Sequence, residues 1–88
     1  AQVQPWYKIA LFNAKTWVLT TNKSKPLSRQ QCESIAVDAT KILKSCVSEM
    51  KAYRVGADAE ENERRFKSEA ASCINYTASI LEFGVDAN

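Results

Sequence analysis

The sequence predicts a small α+β domain, mostly α, in which an N-terminal β-hairpin packs on an antiparallel pair of long helices (ββαα). Segment 6–21 is rich in aromatic and β-branched residues, whereas two later segments repeat apolar residues at spacings of three and four, with a glycine between them. A chain of 88 residues is short enough to form one domain over 1–88. Its composition, 45% hydrophobic and 25% charged, is that of an ordinary globular protein.

The predicted β-hairpin occupies residues 6–21, where two apolar runs flank the polar tripeptide 13–15. A three-residue loop over that tripeptide brings five apolar residues to one face of the hairpin: Tyr7, Ile9, Leu11, Trp17 and Leu19. A two-residue loop mixes polar with apolar partners instead. Because Lys15 is unusual at a loop position that prefers glycine or asparagine, an amphipathic helix from Pro5 to Lys15 is the alternative.

The first long helix is predicted over 28–55. Ser28 and Gln31 have the spacing of a capping box, and Leu27 and Cys32 have that of a hydrophobic staple. One apolar stripe then runs along the helix: Cys32, Ile35, Ala39, Ile42, Cys46, Met50 and Tyr53. Gly56 is suited to the left-handed residue that ends it.

The second long helix is predicted over 58–83. Asp58 and Glu61 repeat the capping-box spacing, and Gly84 ends the segment. Its apolar stripe consists of Ala59, Phe66, Ala70, Cys73, Thr77, Ile80 and Leu81. The short connection around 55–57 makes the two helices antiparallel. Further apolar residues at their edges, Ala36, Leu43, Val47, Ile74 and Tyr76, indicate a possible homodimer.

Three cysteines leave two interpretations open. Cys32 and Cys46 are about 21 Å apart on one helix, so a disulfide within the chain must use Cys73, with Cys46 or Cys32 as its partner. A simple antiparallel pair places neither partner within bridging distance, and three buried, unpaired thiols are the alternative. No two cysteines lie within four residues of each other, and the chain has no histidine, so neither a metal site nor a cofactor is predicted.

Charge is distributed unevenly along the chain. Residues 1–54 have nine basic and three acidic residues, a net charge of +6, whereas residues 55–88 have three basic and seven acidic residues, a net charge of −4. No carboxylate side chain precedes Glu33. The asymmetry fits an acidic partner for the N-terminal segment, or a basic half folded against an acidic half.

The localisation predicted from the sequence is secreted or periplasmic, with the cytoplasm as the alternative. Three cysteines favour an oxidising compartment. Ala1 fits the end left by a signal peptidase, although removal of a methionine or of a tag leaves the same end. No run of residues has the length and apolar character of a membrane span.

Composition also excludes several classes of catalytic site. Without histidine, and with only two glycines, the chain has no histidine triad, no histidine–zinc site and no glycine-rich phosphate loop. The sequence therefore predicts a small non-catalytic protein-binding module, of the inhibitor, immunity or adaptor type, that occludes a partner's surface. The residues predicted to bind that partner are Trp6, Phe12, Lys15, Tyr53 and Arg54.

The alternative function is nucleic-acid binding by the N-terminal ribbon. Aromatic residues that could stack on bases alternate there with lysines that could contact phosphates: Trp6, Tyr7, Lys8, Phe12, Lys15 and Trp17. A steep loss of affinity with rising salt distinguishes this function from protein binding.

Overall fold

The computed structural model describes residues 4–21 and 27–84, which form a bundle of three helices in the order up, down, up. The helices are α1 (Pro5–Thr21), α2 (Arg29–Met50) and α3 (Ala59–Ser79). A 3-10 turn, Lys51–Tyr53, follows α2, and a π-helical turn, Ile80–Gly84, extends α3. No strand occurs in the ranges described.

The predicted β-hairpin over 6–21 is wrong, and the α+β class is wrong with it, because this segment is the single helix α1. Pro5 occupies the first helical position, where its fixed φ and missing N–H favour helix initiation. No glycine and no further proline interrupts 6–21, and the predicted loop at 13–15 continues the helix. The alternative of a helix from Pro5 is the correct one, although it extends to Thr21. Burial of one helical face outweighs the weak strand preference of the aromatic and β-branched residues.

The predicted start of the first long helix is confirmed. Ser28 is the N-cap of α2: its Oγ accepts a hydrogen bond from the Gln31 N–H at 3.1 Å, and the Ser28 N–H donates to Gln31 Oε1 at 2.8 Å. This is the reciprocal capping box that the spacing predicts. Leu27 and Cys32 are buried in the same small cluster, as expected of a hydrophobic staple.

The connection between α2 and α3 differs in detail from its prediction. The α-helix ends at Met50 rather than at 55, and the 3-10 turn carries the chain onward. Gly56 has φ +100°, the left-handed conformation expected of it. Asp58 precedes α3 without a side-chain cap, so the second predicted capping box does not form. The regular α-helix ends at Ser79 and not at 83.

The antiparallel arrangement of α2 and α3 is as predicted. Leu27 and Cys32, at the start of α2, pack with Ile80 just beyond α3. At the opposite end, Arg54 Nε lies 3.4 Å from Glu63 Oε2.

Helix α1 occupies the place on this pair that the hairpin was expected to fill. Trp6 contacts Asn62 and Asn13 contacts Glu69, so α1 runs parallel to α3. The Cys46 thiol of α2 donates to the Pro5 carbonyl at 3.2 Å. The main core cluster lies between the three helices and contains Ile9, Ala39, Cys46 and Cys73, with Phe12, Ile42, Leu43 and Phe66 packed around it. Within the ranges described, no helix combines the length and the hydropathy needed to cross a bilayer.

Candidate functional site

One face of α1, here called its inner face, attaches the helix to the bundle. Its residues recur at helical spacing and are all buried: Pro5, Ile9, Asn13 and Thr16. Ile9 is 0% exposed in the main core cluster. Thr16 satisfies its own hydroxyl by donating to the Phe12 carbonyl at 2.9 Å. The inner face therefore combines an apolar anchor with two polar residues whose donors are used within the protein.

Two polar contacts between α1 and α3 fix how these helices align. The Trp6 Nε1–H donates to Asn62 Oδ1 at 3.3 Å, and the Asn13 amide donates to the Glu69 carbonyl and to Glu69 Oε2, both at 3.0 Å. Both pairs are separated by the same 56 residues and lie one heptad apart on each helix. Partly buried polar pairs at heptad spacing favour one register, because a shifted helix leaves them without partners.

The Trp6 ring is held on several sides. The Arg65 guanidinium lies over it, with Cζ 4.9 Å from the ring centroid, and Tyr7 meets it edge-on at 5.8 Å. Glu61 accepts hydrogen bonds from both Arg64 and Arg65, and these bonds hold the pKa of its carboxyl below the usual value. Trp6 thus belongs to the packing of α1 on α3.

The opposite side of α1, here called its outer face, is apolar and open. It consists of Tyr7, Leu11, Ala14 and Val18, at spacings of four, three and four residues. Tyr7 is 46% exposed, Leu11 50% and Val18 60%. Trp17 lies beside Val18 and is also exposed. At 100° per residue, Leu11 points about 160° away from Ile9, so no packing of the described bundle covers this face.

Two lysines, Lys8 and Lys15, lie along the same side of the outer face, and their surroundings differ. Lys8 Nζ lies 3.0 Å from Glu49 Oε1 of α2, and this hydrogen bond, with the attraction between the charges, raises the lysine pKa. Lys15 is exposed and forms no ion pair with any carboxylate in residues 4–21 and 27–84.

The structure separates the residues that the sequence predicts as the binding site. Trp6, Tyr53 and Arg54 lie at one end of the bundle, where α1 starts and α2 turns into α3. Phe12 packs inward against the core cluster. Lys15 lies beside the outer face, about 13 Å along α1 from Trp6. The five residues do not form one patch.

The three thiols are free and fully buried in this structure, and no pair of them lies at disulfide distance. Cys46 and Cys73 share the main core cluster, while Cys32 belongs to the smaller one. Burial raises the pKa of both the Cys46 and the Cys73 thiol. The interpretation as buried, unpaired cysteines matches this geometry better than a disulfide does. The described residues also contain no group of three or more metal-ligating side chains.

Sequence reasoning missed the outer face because it applied the strand period. Period two puts Tyr7, Ile9 and Leu11 on one face, whereas the helical period sends Ile9 inward and the other two outward. The spacing of Tyr7, Leu11, Ala14 and Val18 was the signal that could have revealed it.

Comparison with known proteins adds no relative: no family model, no curated protein and no solved structure matches this chain.

Proposed function

We propose that the chain is a small, non-catalytic protein-binding module, of the inhibitor, immunity or adaptor type, that covers part of a partner's surface with the outer face of α1. The observation that carries this proposal is the open stripe of Tyr7, Leu11, Ala14 and Val18 on a helix whose other face is packed. A contiguous apolar patch on a small protein is typical of an interaction site. Tyr7 at one end of the stripe and Trp17, beside Val18 at the other end, supply the aromatic area that dominates the energetics of many interfaces.

The surroundings of α1 agree with a binding role. The two carboxylates that contact α1 already have partners within the chain: Glu49 binds Lys8, and Glu69 accepts from Asn13. Trp6 and Phe12 hold α1 in place, so the proposal retains Lys15 from the predicted residues and adds the outer face.

Nucleic-acid binding has less support. Half of the six residues predicted to contact a single strand are engaged within the protein: Trp6 bonds to Asn62, Phe12 packs inward, and Lys8 pairs with Glu49. The β-ribbon that was to present them is absent from the residues described.

The test compares retention of a stoichiometric partner from the native source by the wild-type chain and two variants. Leu11→Glu places a charge on the outer face and should abolish retention. Val37→Glu is the matched control, because Val37 is 52% exposed on α2 and lies about 160° around that helix from buried Ala39; it should retain the partner. Circular dichroism checks that both variants remain helical.

No stoichiometric partner for the wild type, or equal retention by both variants, contradicts the proposal. Binding of a random oligonucleotide that falls steeply between about 50 and 200 mM salt supports the nucleic-acid alternative instead.

A further inference from the structure

The charges along α1 favour one kind of partner. The helix contains Lys8 and Lys15 and no acidic residue. Glu49 neutralises Lys8, whereas Lys15 has no ion-pair partner among the residues described. An apolar stripe bordered by an unpaired cation is complementary to an apolar surface that carries a carboxylate.

A second copy of the chain supplies that carboxylate poorly. When two antiparallel α1 helices meet about a two-fold axis, the same flank of each helix comes together. Lys15 would then face the lysine flank of the other copy. The two carboxylates that contact α1, Glu49 and Glu69, already accept hydrogen bonds within their own chain.

The shape of the outer face suits a helix. Tyr7 to Val18 covers three helical turns, about 16 Å. The small side chain of Ala14 lies between Leu11 and Val18, and a small residue between larger ones lets a facing helix approach closely. A helix laid there would pack on α1 alone, as an additional helix outside the three-helix bundle.

We propose that the outer face of α1 docks an amphipathic helix of another protein, whose apolar stripe packs on Tyr7, Leu11 and Val18 and whose carboxylate pairs with Lys15. This inference rests on the proposed protein-binding function and names the chemistry of the partner.

The experiment uses two synthetic helical peptides of about 18 residues. Both carry leucines at the spacing of the outer face; one has glutamates along the flanks and the other has lysines at the same positions. Binding to the isotopically labelled protein is followed by NMR, which detects weak complexes and maps them to α1. The glutamate peptide should bind at the outer face, about fivefold more tightly than the lysine peptide.

Variants of the protein test whether Lys15 causes the preference for the glutamate peptide. Lys15→Glu should reverse it, whereas Lys44→Glu, the same charge change at an exposed position of α2, should preserve it. Leu11→Glu should abolish binding of both peptides.

Several outcomes overturn the inference. If both peptides bind equally, or if neither binds, the partner is not an acidic helix. The proposed protein-binding function still stands in that case if Leu11→Glu, and not the Val37→Glu control, loses the native partner. A dimer in light scattering that Leu11→Glu dissociates assigns the face to a second copy. Binding to anionic vesicles without binding to either peptide assigns it to a membrane surface.

Discussion

The two faces of α1 have opposite surroundings. On the inner face, Ile9 is 0% exposed among Ala39, Cys46 and Cys73. On the outer face, Leu11, two residues away, is 50% exposed. Hydrophobic stabilisation of the fold explains the first face but not the second. Helix α1 therefore has more apolar residues than its packing against α2 and α3 requires, and the additional ones lie on its outer face.

The largest expected effect tests the inner face at its apolar anchor. Ile9→Ala should lower the free energy of unfolding by about 2–5 kcal/mol, because it removes buried methyl groups and leaves a cavity. Leu11→Ala is the matched control on the outer face and should change it by about 0.5 kcal/mol or less. Urea denaturation measures both. Equal losses for the two variants would mean that the outer face is covered in the folded protein.

The next effect tests the polar alignment of α1 on α3. Asn13→Ala should cost about 1–3 kcal/mol, because it removes the amide that donates to the Glu69 carbonyl and to the Glu69 carboxylate. A double-mutant cycle with Glu69→Ala should give a coupling energy of about 1 kcal/mol. Asn75→Ala, at an exposed position of α3, should be close to neutral. If the cycle shows no coupling energy between Asn13 and Glu69, their contact does not fix the alignment of α1 on α3.

A smaller effect separates the helix from the hairpin directly. Ala14→Gly should destabilise the protein by about 1 kcal/mol if residue 14 lies within a helix. In a hairpin loop over 13–15, glycine would be tolerated or would stabilise the protein. Ala71→Gly, at an exposed helical position of α3, provides the reference cost. If the unfolding temperature of Ala14→Gly equals that of the wild type while that of Ala71→Gly is lower, residue 14 lies in a hairpin loop and not in a helix.

The smallest effect is expected at the flank of the outer face. Lys8→Gln removes an exposed ion pair with Glu49, so its cost should be below that of Ala14→Gly and should vanish at high salt. Because the folded-state pKa of Lys8 is raised above its ordinary value of 10.5, the contribution of the pair is fully present below that value. It is lost as pH rises through the raised pKa. A difference from wild type that grows with salt argues against the pairing.

Local signals predict α2 and its turn well. The capping box of Ser28 with Gln31 and the left-handed Gly56 each depend on a few adjacent residues, and both occur in the structure. The antiparallel pairing of α2 and α3 follows from the short connection between them.

Helix α1 was predicted wrongly because its apolar residues fit both the strand period of two and the helical period of 3.6 residues. Asn13 looked like a loop residue since it is polar within an apolar run, yet it is 7% exposed against α3. Its partner Glu69 is 56 residues away, so no local pattern contains the contact. The spacing of the outer face reveals an apolar stripe, but packing rules expect such a stripe to be buried, so they do not predict that it is exposed.

One NMR experiment tests the central claim that α1 is a packed helix with an open apolar face. Cα chemical shifts are measured over 5–21, together with the broadening of methyl signals by a soluble paramagnetic reagent. The account predicts helical shifts throughout, a protected Ile9 methyl, and strongly broadened Leu11 and Val18 methyls. Strand-like shifts on both sides of residue 14, or protection of Leu11 and Val18 equal to that of Ile9, would contradict it.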